Sequence, residues 1–166
     1  MNGFWRALEQ PEYVHTLINP LPIYGLALGI VAFIVALLLR NRAAQIPALV
    51  VIFIAAASAW PVTYFGDRAY DRVLSMSDEA GSAWLAAHEH RADQFVWCYY
   101  ALALVALLAL IVPRKFPRAK TPLTVLTLLL AIVSLGAGCY IAYAGGRIRH
   151  REFRTEPPPP KPAERD

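Results

Sequence analysis

Charge is missing from four long stretches of this sequence. Residues 21–39, 46–65, 95–112 and 123–144 contain no Asp, Glu, Lys or Arg. Over the whole chain of 166 residues, charged residues make up 17% and apolar residues 57%, whereas a soluble domain averages about 25% and about 45–50%. That shortage excludes an ordinary soluble fold, because the surplus apolar surface needs lipid. Cysteine is scarce as well. Cys98 and Cys139 are the only two, and both fall inside apolar runs, so no disulfide framework is implied. The zinc and redox spacings H-x-x-x-H, H-E-x-x-H and C-x-x-C are absent. No nucleophile–histidine–acid arrangement stands out, and a stand-alone catalyst is not expected. The net charge is +4, but the basic residues flank the apolar runs instead of forming one patch. The expected partner is therefore the bilayer, not nucleic acid. No cleavable leader is expected, since the first apolar run begins near residue 20 and is followed by three more.

Each run is long enough to cross about 30 Å of hydrocarbon as a helix, and helices satisfy their own backbone inside lipid. The expected fold is therefore an all-α, antiparallel bundle of four transmembrane helices. Spans run from about Leu21 to Leu39, Ile46 to Phe65, Phe95 to Val112 and Leu123 to Ala144. An interfacial segment (1–16) precedes this domain (17–154), and a flexible proline-rich tail (155–166) follows it. Short links, Arg40 to Gln45 and Pro113 to Pro122, sit on one side, here called face B. The long link, Gly66 to Gln94, and both termini sit on face A. Within that link, helical spacing at Asp67, Tyr70, Asp71 and Leu74 predicts one helix. Ser77 or Asp78 is placed to cap a second helix, which runs into span three.

Face B holds Arg40, Arg42, Arg114, Lys115, Arg118 and Lys120 and no acid, while all twelve acids lie on face A. The density of short-loop cations favours a cytoplasmic face B, so the chain is expected to be a multi-pass protein of the cell inner membrane with face A periplasmic. The arginines after span four argue the other way. Aromatic residues crowd face A, including Trp60, Tyr64, Phe95, Trp97, Tyr99, Tyr100, Tyr140 and Tyr143. They form an interfacial belt or a wall around a flat ligand. Small residues, Gly25-x-x-x-Gly29 in span one and Ser134, Gly138 and Ala142 in span four, predict close helix packing within the bundle.

All four histidines fall on face A. His15 precedes span one, His88 and His90 precede span three, and His150 follows span four. Imidazole suits transition metals, and carboxylates complete such shells. His15, His88 and His150 are therefore candidate ligands of a metal or haem iron, with Asp67 and Glu89 alongside. Asn19, His90 and Glu152 are the candidates for orienting them. On a helix His88 and His90 point roughly 200° apart, so they do not share one ion; His88 shares a stripe with Trp84 and Ala92 and faces the bundle. The resulting function is a small membrane protein with a metal- or haem-binding cap for redox or metal handling. The alternatives are an accessory subunit of a larger membrane complex and a quinone or lipid pocket behind the aromatic belt.

Three stretches carry a resemblance. They are Val14-His15-Thr16-Leu17-Ile18-Asn19-Pro20-Leu21-Pro22, Gly66-Asp67 with the later His88-Glu89, and Gly145-Gly146-Arg147-Ile148-Arg149-His150-Arg151-Glu152-Phe153-Arg154. Together they resemble a family of uncharacterised four-helix bacterial membrane proteins over about residues 13–154. The resemblance implies the four-span fold and singles out His15, Asn19, Asp67, His88, Glu89, His150 and Glu152. It implies no activity. Where the family pattern has a histidine after the asparagine, this chain has Pro20.

Overall fold

The computed structural model describes residues 3–160. Two short helices, α1 (Gly3–Ala7) and α2 (Pro11–Ile18), lead into α3 (Pro20–Leu38). They are followed by α4 (Arg42–Ala57), α5 (Ala59–Ser75), α6 (Glu79–Lys115) and α7 (Lys120–Arg149), with 3-10 turns at Pro117–Ala119 and Arg151–Phe153. No strand forms among the described residues. The tail residues 161–166 lie outside them.

Four helical segments are long and apolar enough to cross a membrane: Pro11–Leu38, Arg42–Ser75, Glu79–Lys115 and Pro117–Arg149. The chain is thus an all-α bundle of four spans, as its apolar runs predict. Two spans are each divided into two helices part-way, and proline accounts for both. Asn19 separates α2 from α3 with helical dihedrals, just before Pro20 and Pro22, neither of which has an N–H to donate. Ser58 separates α4 from α5, three residues before Pro61, which leaves the Ala57 carbonyl without its helical donor.

The helices close a ring in which α3 packs on α4, α4 on α6, α6 on α7 and α7 on α3, while α2 lies along α5 at the face A end. Outward positions are apolar, as lipid requires: Leu28, Leu38, Ile54, Leu104 and Leu129 are all exposed. The interior is built from close approach. A Cβ on Gly25 would lie 2.8 Å from the Cβ of Ala55, and one on Gly29 would lie 2.8 Å from Cγ1 of Ile52. The Gly25-x-x-x-Gly29 stripe is therefore used inside the bundle, between α3 and α4. In span four, Gly138 lies against the Tyr99 hydroxyl, and Ser134 is fully buried.

The links fit their ends. At the face B turn, Asn41 caps α4 by accepting from the Ala44 N–H at 3.2 Å, and Arg40 takes the left-handed conformation, φ 51°. In the long link, Asp78 caps α6 by accepting from the Gly81 N–H at 2.8 Å. The early start of α6 and late end of α7 carry both helices past the membrane spans. There Trp84, Leu85, Ala87, Ala144 and Ile148 form a second apolar core, with Tyr70 and Val73 of α5 packed against it. This cap sits on face A.

Candidate functional site

Beneath the cap lies a cavity of about 660 Å³ between α2, α5, α6 and α7. Its walls are mainly apolar and small, with Ile23, Val62, Leu85, Val96, Ala142 and Gly145 among them. Polar groups enter it from four helices: His15 and Thr16 of α2 with Asn19 at its end, Asp67 and Tyr70 from α5, His88, Glu89 and Asp93 from α6, and Arg149 from α7. Its size and lining are those of small-molecule sites, which are concave, mostly apolar and furnished with a few convergent polar groups.

Two histidines meet there. The rings of His15 and His88 lie with centroids 6.3 Å apart and planes at 86°. Each is held by a backbone carbonyl of another helix. His15 donates Nδ1–H to the Val62 carbonyl of α5 at 2.9 Å, and His88 donates Nδ1–H to the Ile141 carbonyl of α7 at 3.0 Å. A carbonyl only accepts, so each Nδ1 carries a proton, which leaves Nε2 as the ring nitrogen that could ligate. Such an Nδ1–H to carbonyl bond is how metal-binding histidines are oriented and made more basic.

The two arrangements repeat each other. Val62 stands four residues before Gly66, and Ile141 four residues before Gly145. Each imidazole sets its Nδ1–Cε1 edge against its glycine: a Cβ on Gly66 would come 3.1 Å from Cε1 and Nδ1 of His15, and one on Gly145 would come 3.0 Å from the same atoms of His88. A bare glycine lets the ring approach a carbonyl already engaged in its helix. Thus the α2/α3–α4/α5 hairpin and the α6–α7 hairpin each contribute one histidine near the start of the first arm. Each also contributes one glycine near the end of the second.

The other expected site residues are placed differently. His150 reaches the rim of the cavity, but its Nδ1 is 2.9 Å from Oε1 of Glu152 and its ring stacks on Phe153 at 4.9 Å. Glu152 is held below its ordinary pKa, first by its own backbone N–H and then by His150. Asp67 and Glu89 are exposed along the same cavity. Among the described residues no three of His, Cys, Asp or Glu gather into a group that could hold a metal ion. The five-residue ligand set expected from sequence is therefore not assembled; what the fold assembles is the pair His15 and His88. Asn19 lines the cavity without a hydrogen bond to His15 other than its backbone N–H to the His15 carbonyl at 2.8 Å. His90 is exposed, on the opposite side of α6 from His88 as helical spacing dictates. Ala142 and Gly138 form part of the wall. Pro20 is exposed and lies outside the lining.

Of the aromatic belt, Tyr99 turns inward to the cavity, while Trp60 and Trp97 are well exposed to the lipid side. Sequence reasoning missed Gly66 and Gly145 as parts of the site, although both stand in the stretches that carry the family resemblance. It also missed the clasp above the cavity. Asp78 takes Arg154 through both carboxylate oxygens at 2.9 and 2.8 Å and Arg151 at 3.1 Å. Arg154 in turn donates to the carbonyls of Arg147 and Ile148, both at 2.7 Å. The Arg154 hydrogen bonds and those of the Gly81 N–H hold the Asp78 carboxyl down at about 2. The segment after α7 is thereby fixed across the start of α6.

The chain matches no family model, no curated protein and no solved structure.

Proposed function

We propose that this protein binds a haem in the face A cavity, where His15 and His88 would hold its iron, and that it serves electron transfer across or along the membrane. The observation that carries this reading is the matched anchoring of two imidazoles that face one cavity, each with Nδ1–H on a helix carbonyl. An imidazole nitrogen about 2 Å from an ion puts its ring centre roughly 3 Å away. Ring centres 6.3 Å apart are compatible in distance with one ion held by both rings. A bare tetrahedral ion would draw the rings closer and require two more donors. A haem brings four nitrogens of its own and needs apolar walls, which the cavity supplies. Held by two histidines, such a group would supply one-electron exchange, tuned by ligand, hydrogen bonding and burial.

This reading places the protein in the inner membrane with face A periplasmic, following its short-loop cations, and partners in electron transfer would be other membrane subunits. The test is an absorption spectrum with iron analysis on detergent-purified full-length protein, oxidised and reduced. A Soret band, sharp low-spin α and β bands on reduction, and near-stoichiometric iron are the expected result. Iron-free protein that also fails to take up added haemin would overturn it. A second reading rests on the same cavity: a quinone seated between apolar walls, with Tyr70, Glu89 and Asp93 along its edge. Recovery of stoichiometric quinone from haem-free protein would favour that reading.

A further inference from the structure

Face B holds a second concavity, built from residues that have no part in the histidine site. It measures about 370 Å³ and is lined by Arg42, Ile46, Leu110, Pro113, Arg114, Pro117 and Lys120. Its three cations come from three elements, the start of α4, the end of α6 and the start of α7. Arg42 is fixed in place. Its Nη2 donates to the Ala109 carbonyl at 3.1 Å and its Nη1 to Oε1 of Gln45 at 3.4 Å. That carbonyl is available because Pro113, four residues on, has no N–H to offer it. Arg114 and Lys120 are exposed. Neither face B link contains an acid, so the positive charge there is unopposed from within the chain. The N-termini of α4 and α7 open on the same side and add the positive ends of their dipoles. Below the cations, Ile46, Leu110 and the two prolines give the groove an apolar floor.

A pocket with cations at the membrane surface and apolar residues beneath them matches one class of molecule, an amphiphile with an anionic head. We infer that this groove binds the headgroup of an anionic phospholipid, its phosphate held by Arg42, Arg114 and Lys120 and its first acyl carbons resting on Ile46 and Leu110. Basic pockets between transmembrane helices recognise acidic lipids in this way. The site stands on its own residues and is independent of any ligand in the face A cavity.

The experiment is lipid retention by the detergent-purified full-length protein, read by native mass spectrometry and by thermal unfolding. The probes are dioleoylphosphatidylglycerol and dioleoylphosphatidylcholine. The expected result is that the anionic lipid is retained and raises the melting temperature, while the zwitterionic one does neither. Arg114→Gln with Lys120→Gln is expected to weaken retention roughly 5-fold for each cation removed. The control pair Lys115→Gln with Arg118→Gln removes the same charge outside the groove and is expected to keep retention near wild type. Should the first double variant misfold, either single change reads the same loss at half its free energy. Equal retention of both lipids, or equal loss in the two double variants, would overturn the site. So would full displacement of the lipid by millimolar inorganic phosphate, which would mark an ion site in place of a lipid site.

Discussion

His15 and His88 lie 73 residues apart in sequence, and their ring centroids lie 6.3 Å apart in the fold, planes almost perpendicular. Neither side chain reaches the other by chance of flexibility, because each is tied by Nδ1 to a helix carbonyl. Replacing either one should therefore affect the site without disturbing its partner's anchor. For His15→Ala and His88→Ala singly, purified protein is expected to show a high-spin, weakly retained haem that added imidazole returns to low spin. A low-spin spectrum unchanged in both variants would remove these residues from the ligand set.

The glycines under the two rings give a second test. Gly66→Ala and Gly145→Ala push a methyl to 3.1 and 3.0 Å from the imidazole, so the ring must shift off its carbonyl. Overpacking costs about 1–3 kcal/mol, and the gain in helix propensity from glycine to alanine returns about 1 kcal/mol. The net loss of stability should be about 0–2 kcal/mol. Ligand retention should fall roughly 10–100-fold, the usual cost of losing the bond that orients a ligating histidine. Thermal melts and haem titration of the same preparation separate the two effects.

The Arg42–Ala109 bond predicts a coupled pair. Arg42→Ala orphans a carbonyl that has no helical donor, at a cost of about 1–3 kcal/mol. Pro113→Ala supplies that donor from within α6. In the Pro113→Ala background, Arg42→Ala should cost clearly less, and a double-mutant cycle of detergent melts measures the difference. Additive losses would show that Arg42 does not serve the carbonyl.

Asp78 sets a pH dependence. Its pKa falls from an ordinary 3.8 to about 2 in the fold, chiefly through its hydrogen bond to Arg154. A depressed carboxyl contributes in full above its unfolded value and loses that contribution as pH falls through the folded one. The clasp should hold unchanged from neutral pH down to about 4 and release between there and about 2. Hydrogen exchange across residues 147–154 reads this directly, and Asp78→Asn should leave that segment more open at neutral pH, with the difference from wild type closing as pH falls to about 2.

The four spans were legible because the signal is local: an uncharged run of some 20 residues needs no tertiary knowledge to interpret. The cap at Asp78 and the inward turn of His88 were legible for the same reason, since capping chemistry and the 3.6-residue period are set within one turn. The histidine site was only half legible. That His15 and His88 share a face follows from counting spans. That they meet, and that His150 instead turns to Glu152 and Phe153, depends on how α2 seats on α5 and α6 on α7. Gly66 and Gly145 carry no chemical signal of their own. The clasp of Asp78 with Arg154 joins residues 76 positions apart, and no period or motif links them.

The internal repetition of hairpins has a consequence for how the protein is made. Each hairpin is a pair of antiparallel apolar helices that can enter the bilayer as it leaves the ribosome, before its counterpart exists. Neither contains a complete site, since one holds His15 with Gly66 and the other His88 with Gly145. Any ligand that needs both imidazoles binds only after the halves have docked, and its binding energy then opposes their separation. Occupancy of the cavity by such a ligand would thus distinguish the assembled molecule from a half-built or mispaired one.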